Sequence, residues 1–584
     1  MIGNGRLRFT WIALAIAFAP SVAVSQPFTQ KALDRALELV PPDAAGFVCV
    51  PSLKRLNDDL VQCLERMDRP GTAVIGRPID QIKARLGIAV AVEDRGSLVA
   101  WWPAADESGD AGAVRLLVPT EDGAAFLAGN FEAAPDAGAN AYRGPGGSIW
   151  FARSLAGHVL LSTDAAAVEG YAAKGGLAAP FRERMGAAWD ELDVIAWGGP
   201  VAMRDLTKQG RAAMPADFEP PPGYDAEAAE RWRGAFEQSL TDGLVAIDVD
   251  PLGVAVRTFA KLAPESPLGE MVANASLGEA SLDRVPGAPF YLAGSLDLAA
   301  IGGVAPLRAF AKLAGLPEGL WLDVAANLRK VQLAVYPSKL GIAAGGFFND
   351  AALAIEADDP AALRQAIETG VLAAAGDAAG LRWKGAFERD RTLKNGDQVD
   401  AFEVSQMAIP GGEQGAIGAV DLAQRQLVWQ IAFGSRGLNG FLEPAGGSWS
   451  VLTFSQRPDV LGRAIEAASG GGPGLDRDGA VRALRRWLPT GAQAVGFIGI
   501  GQFGKLLKQV ARMVPGGGEA ALPDIPANIE PVAFGLTVRP GSVETSLVLP
   551  AGVLGLGYDQ ILDSVMRGAG VVTPGESNAS DEAP

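Results

Sequence analysis

Six residues near the end of the chain, Gly499-Ile500-Gly501-Gln502-Phe503-Gly504, carry the spacing G-x-G-x-x-G. They stand between an apolar run that reads as a strand, 494–498, and a helix expected from Lys505. Glycines so placed let a backbone approach a pyrophosphate at a helix N-terminus, where exposed N–H groups and the helix dipole favour an anion. Gly499, Gly501 and Gly504 are therefore the candidate cofactor-binding residues. A dinucleotide domain also needs a second strand ending in Asp or Glu roughly 20 residues on. Here Pro515-Gly516-Gly517-Gly518 leads to Pro526 through breakers, with Asp524 and no strand before it. Incidental glycines in a tight strand–helix turn are the competing reading, and no cofactor is expected.

The remaining chemistry is sparse. His158 is the single histidine, which excludes zinc sites built on His and Cys and any Ser-His-Asp triad that does not use it. Beside a strand turn it reads as a surface or hydrogen-bonded residue. Asp248-Val249-Asp250 puts two carboxylates at a hairpin end. Asp476-Arg477-Asp478-Gly479 opens like a calcium loop but has Trp487 where the twelfth-position acid belongs. Both stretches read as turn and cap residues, so no metal and no catalytic residue is assigned. Cys49 and Cys63 are the only cysteines. An oxidising compartment would allow a disulfide between them, and two small buried thiols are the alternative. The tryptophans fall mostly on expected strands, where aromatics usually fill a core. The glycine turn resembles the opening of the NAD(P)-binding domain of hydroxyacid dehydrogenases over about 20 residues, which implies a nucleotide-dependent enzyme as the alternative function.

These residues must be held by elements, and the elements recur. In the first copy 46–50 is a short apolar strand, and Leu53, Leu56, Leu60, Leu64 and Met67 share one face of a helix over 53–67. A hairpin over 86–102 is expected next, turning at Asp94-Arg95-Gly96. Strand, helix and hairpin return at 194–197, 206–214 and 244–259, and again at 290–293, 307–313 and 331–348. The fourth copy is 494–500, 505–514 and 532–549, with Pro and Gly mostly in the turns. Copies one and three gain a further strand and helix, at 114–127 and 352–367. Strands are also expected at 148–153, 158–162, 399–404, 427–433 and 449–454, with Asp164 as a helix N-cap and a charged helix over 225–240. The fold class is therefore α+β: duplicated strand–helix and hairpin units, mainly antiparallel or mixed sheets with helices on one face.

The first 25 residues read as a secretion signal. Arg6 and Arg8 precede an apolar core over 9–19, Pro20 breaks it, and Ala23-Val24-Ser25 suits cleavage before Gln26. An uncleaved anchor is the alternative, and no other segment is apolar for long enough to span a bilayer. The halves expected are 26–277 and 278–573, with a disordered acidic tail over 574–584. Fifty basic against 67 acidic residues, a net charge of −17, speak against nucleic acid and against attachment to anionic lipid.

The openings Val40-Pro41-Pro42-Asp43-Ala44, Val285-Pro286-Gly287-Ala288 and Leu488-Pro489-Thr490-Gly491-Ala492, with Leu117-Val118-Pro119, make the chain similar to large secreted bacterial proteins of unknown function. The resemblance implies an exported, periplasmic or extracellular protein and implies no activity. The expectation is a non-enzymatic envelope protein that binds an unidentified protein or an apolar ligand.

Overall fold

The computed structural model describes residues 29–67, 77–104, 112–171, 175–185, 192–204, 226–314, 320–378, 381–408, 419–513 and 525–558. Contacts gather the chain into two compact units, 1–195 with 246–255 and 549–584, and 196–245 with 256–548. The consecutive halves expected from the order of elements are a different partition, one of sequence pattern and not of contacts. Helices and antiparallel strands make up both units, and the class is α+β.

In the first unit, β1 (Ala44–Val50), β2 (Leu98–Pro103), β3 (Arg115–Pro119), β4 (Glu132–Ala133), β5 (Ala141–Arg143), β6 (Ile149–Leu155) and β7 (His158–Ser162) form a sheet. Their order is β1-β2-β3-β7-β6-β5-β4, every neighbour antiparallel. The helix expected over 53–67 is present as Leu53–Met67. Its Leu53, Leu56 and Leu60 join Ile79 against Val50 and Leu98. Burying each leucine is worth about 1.5–3 kcal/mol, so packing of this stripe is what keeps the helix. The helix Gly123–Asn130 is started by Asp122, whose carboxylate accepts from the N–H groups of Ala124 and Ala125 at 3.0 Å. Phe126 and Leu127 then pack with Val118, Val159 and Leu161.

The first hairpin departs from expectation. Residues 88–96 form no strand, and β2 pairs with β1 and β3 instead. A helix Pro78–Leu86 ends on Gly87 in the left-handed region, and Ala91 follows with φ of 55°. The backbone of Val90, which a ladder would need, is taken by the Asn130 side chain, which bonds both its N–H and its C=O at 2.8 Å. Of the alternating Ile88, Val90 and Val92, only Ile88 is buried and Val90 is exposed, so the alternation marked no strand.

β8 (Val194–Gly198), β9 (Leu240–Asp250) and β10 (Gly253–Leu262) come next, the last two being the hairpin expected over 244–259. The helix expected over 206–214 lies outside the described residues.

The second unit contains β11 (Leu292–Asp297), β12 (Leu328–Val335), β13 (Ala352–Ala357), β14 (Gly376–Ala378), β15 (Leu381–Thr392), β16 (Gln398–Ala408), β17 (Leu438–Gly446) and β18 (Trp449–Thr453). They run in the order β11-β12-β13-β18-β17-β16-β15-β14. On its other side β11 pairs with β19 (Ala494–Ile498), which pairs with β20 (Val532–Arg539), which pairs with β21 (Ser542–Pro550). The helix Pro360–Ala373 lays Leu363 and Ile367 on Ile355 and Ala357. The helix Ile500–Met513 lays Leu506, Phe503 and Val510 against Tyr291 and Val335.

Two expected strands are helical here. Gly341–Gly345 is a short helix bounded by positive-φ Gly341 and Gly346. The N–H groups of Phe347 and Phe348 then bond the carbonyls of Ile431 and Ala432, so this arm cannot return along β12. The run 427–433 lies inside the helix Ala419–Phe433. Short apolar runs fit either period, and here Trp429 and Phe433, four apart on one helical face, pack at 4.5 Å.

Candidate functional site

The glycine turn opens a helix that begins at Ile500, not at Lys505. A Cβ on Gly499 would stand 2.1 Å from the carbonyl oxygen of Phe290. On Gly501 it would meet the carbonyl oxygens of Pro526 and Ala527 at 2.6 and 2.8 Å, and on Gly504 the side chain of Ile525 at 2.7 Å. Gly501 and Gly504 let the chain at 525–527 lie on the first turns of the helix, and Gly499 admits the backbone of Phe290. Carbonyl oxygens face Gly501, and that is the wrong sign for a pyrophosphate.

Cys49 and Cys63 are both buried, as thiols and not as a bridge. Val50 and Leu98 receive the helix Leu53–Met67, so Cys49, one residue along β1, points to the opposite face. Cys63 packs instead with Leu64, Met67 and Ala551. Burial pushes the Cys49 thiol far up, which makes it a poor nucleophile. His158 is buried at the start of β7, its Nε2 3.3 Å from the carbonyl of Ser97, to which it donates. Burial lowers its pKa, so the ring is neutral. Asp250 accepts from the N–H of Leu252, and Asp478 caps the helix Gly479–Arg485; both are turn or cap residues, as their sequence suggests. Trp101 and Trp197 are buried, and Trp429 packs against Trp383 and Phe433.

The titratable groups that do converge were not legible as a set. Arg55 Nε lies 3.1 Å from Asp193 Oδ1 and 3.4 Å from Asp59 Oδ2, with Nη2 3.7 Å from Asp248 Oδ1. Asp193, just before β8, also accepts from the N–H of Val249 at 2.9 Å. Asp59 and Asp193 both face Arg55 Nε, and like charges held that close favour keeping a proton on one of them. Burial, opposed by Arg55, pushes Asp59 up to about 6 and Asp193 well above the usual carboxylate range. Asp59 and Asp193 are buried and Asp248 is half-buried, and a retained proton lowers the negative charge that burial makes costly. Arg55 and Asp59, one turn apart on the helix, were the only local signal. Asp193 and Asp248 join them through tertiary structure alone. Among the described residues no three His, Cys, Asp or Glu side chains are disposed to hold a metal ion.

The second unit carries an apolar feature. Phe534 of β20 is opposite Leu547 of β21 and opposite Gly496 of β19. Ile498, two residues from Gly496, shares that face. Ile498, Phe534 and Leu547 are 39, 42 and 39 % exposed. Gly496 leaves the flank of the Phe534 ring without a side chain. Elsewhere in this unit a cavity of about 160 Å³ lies between the helices Pro267–Val272 and Val304–Ala314, with Glu270 and Asn274 as its polar lining. That is small beside the roughly 300–1,000 Å³ of typical ligand pockets.

No protein-family model matches the chain, and no curated protein matches it. Among solved structures, crystal form IV of TP0453 aligns at a TM-score of 0.23 and 12 % identity, over 48 % of this chain and 97 % of that one. Crystal form III of TP0453 aligns at 0.22 and 12 %, over 48 % and 99 %. No family follows from this. Likenesses at that distance carry no argument about fold or function, so the reading rests on the chain itself. No helix among the described residues is long and apolar enough to cross a membrane.

Proposed function

We propose that this chain is a non-enzymatic exported protein of the cell envelope that acts as a binding scaffold, taking an apolar partner or ligand on the strands of its second unit. The observation that carries the reading is the face of Ile498, Phe534 and Leu547, three large side chains on three consecutive antiparallel strands, each about two-fifths exposed. Scattered apolar exposure is ordinary, but contiguous apolar surface on rigid elements marks contact sites. The export half of the proposal rests on the leader over 1–25, and cleavage would place the mature chain in the periplasm or outside the cell.

Duplication belongs to the same proposal. What supports it is the strand order: β1-β2-β3 followed by a returning β7-β6-β5-β4 in one unit, and β11-β12-β13 followed by β18-β17-β16-β15-β14 in the other. In each, a helix connects the third strand to the returning set.

The test is fluorescence titration of the purified chain with 1-anilinonaphthalene-8-sulfonate. Saturable binding is expected, and Phe534→Ser with Leu547→Ser should weaken it about tenfold, since each buried aromatic or leucine contact is worth on the order of 1 kcal/mol or more. Equal binding by the double variant would refute the assignment of this face. Titration with NADH addresses the enzyme alternative: tight binding abolished by Gly501→Ala would overturn the non-enzymatic reading.

A further inference from the structure

Arg115 occupies an odd place for a charge. In register it belongs to the cross-strand row Phe47–Trp101–Arg115–Ser162–Phe151 on one face of the first unit. Phe47, Trp101 and Ser162 in that row are buried, and Phe181 packs edge-on against Phe47. The guanidinium carbon sits 4.6 Å from the centre of the Trp101 ring, which supports a cation on its face but offers it no acceptor.

The hydrogen bonds of Arg115 do not close. Among the described residues its enclosed Nε and Nη1 reach no acceptor, and neither does Nε1 of the same Trp101. Its neighbours are already committed. Ser162 donates to the carbonyl of Val114 and accepts from the N–H of Asp164. Asp164 itself accepts from the N–H of Ala166, and the Tyr171 hydroxyl donates to the carbonyl of Leu39. Burial lowers the pKa of Arg115, and the carboxylates of Asp164 and Asp43 oppose this only through their charge. A second arginine, Arg153, donates to the carbonyl of Tyr171 at 2.9 Å, so the surroundings of Tyr171 hold two cations.

Buried donors are nearly always satisfied, and an enclosed charge without a hydrogen-bonded counter-ion is costly. The planar fork of a guanidinium matches the two oxygens of a carboxylate or phosphate, and such charge-assisted pairs are the strong ones. Arg115 as a residue is half-buried, and a solvent-borne group reaches the enclosed Nε and Nη1 by displacing the side chains packed over them. We propose that Arg115, stacked on Trp101, is the floor of an oxyanion site that takes the carboxylate or phosphate group of a small ligand. The site is independent of the apolar strands of the second unit.

The experiment is thermal unfolding and isothermal titration of the purified full chain with inorganic phosphate and, separately, with acetate, at ionic strength held constant with chloride. A saturable rise in Tm and a measurable Kd for at least one anion are expected, and the one that binds identifies the oxyanion. Arg115→Lys keeps the charge and loses the fork, so it should bind about tenfold more weakly. If that variant does not fold, Arg115→Gln is read in the same way. Absence of saturable binding by both anions, or native-like binding by the folded variant, overturns the proposal.

Discussion

Asp59 and Asp193 show how burial sets what a residue can do. In an unfolded chain each would lose its proton near pH 4. Folded, Asp59 holds its proton up to about 6 because burial outweighs the pull of Arg55. Between those values the folded state binds more protons than the unfolded one, so stability falls as pH rises through the window of roughly 4 to 6. One retained proton sets a slope approaching 1.4 kcal/mol per pH unit, on the order of what linkage allows. Urea midpoints from pH 4 to 7 should show this decline, and Asp59→Asn, which cannot ionise, should lessen it, leaving the part due to Asp193. A native chain whose stability rises over that range would contradict the assignment. Removing the cation is the harsher change: Arg55→Met should cost about 3–5 kcal/mol, because the buried Asp59 and Asp193 lose the guanidinium beside them.

Elements are held by caps and stripes of unequal weight. Asp359 starts the helix Pro360–Ala373 by accepting from the N–H groups of Ala361 and Ala362 at 2.9 and 3.0 Å. Leu363, 1 % exposed, fixes the same helix to Ile355 and Ala357. Losing the cap should cost about 1 kcal/mol, and Leu363→Ala about 2–5 kcal/mol with its cavity. Chemical denaturation of the two variants should therefore rank them with Leu363→Ala the less stable. The reverse order would mean that local capping outweighs packing here. The same balance explains what was readable. Leu53–Met67 follows from its leucine spacing because stripe and packing agree. The runs 88–92, 341–348 and 427–433 were misread because Asn130, paired positive-φ glycines and aromatic packing took their backbone or side chains elsewhere.

At the scale of the whole molecule, the proposal of export rests on the first 25 residues. The full chain expressed in a bacterial host should be recovered outside the cytoplasm with Gln26 as its N-terminus, and a chain lacking residues 2–25 should stay in the cytoplasmic fraction. Mass spectrometry of the fractionated protein decides between them. An intact Met1 on an exported, membrane-associated product would favour an uncleaved anchor. An acidic chain with a net charge of −17 is expected to show no salt-dependent affinity for DNA.

By itself the sequence determined the α+β class, the helix Leu53–Met67, the hairpins β9–β10 and β20–β21, and the cap at Asp164, because periodicity, turn residues and capping act over a few neighbouring positions. Only the tertiary structure decided which groups meet. Asp193 and Asp248 reach Arg55 from far along the chain, Arg115 is enclosed by strands on both sides, and carbonyls from 525–527 fill the space over Gly501. Burial and proximity between distant segments set those charges and spaces, and neither is a property of local spacing.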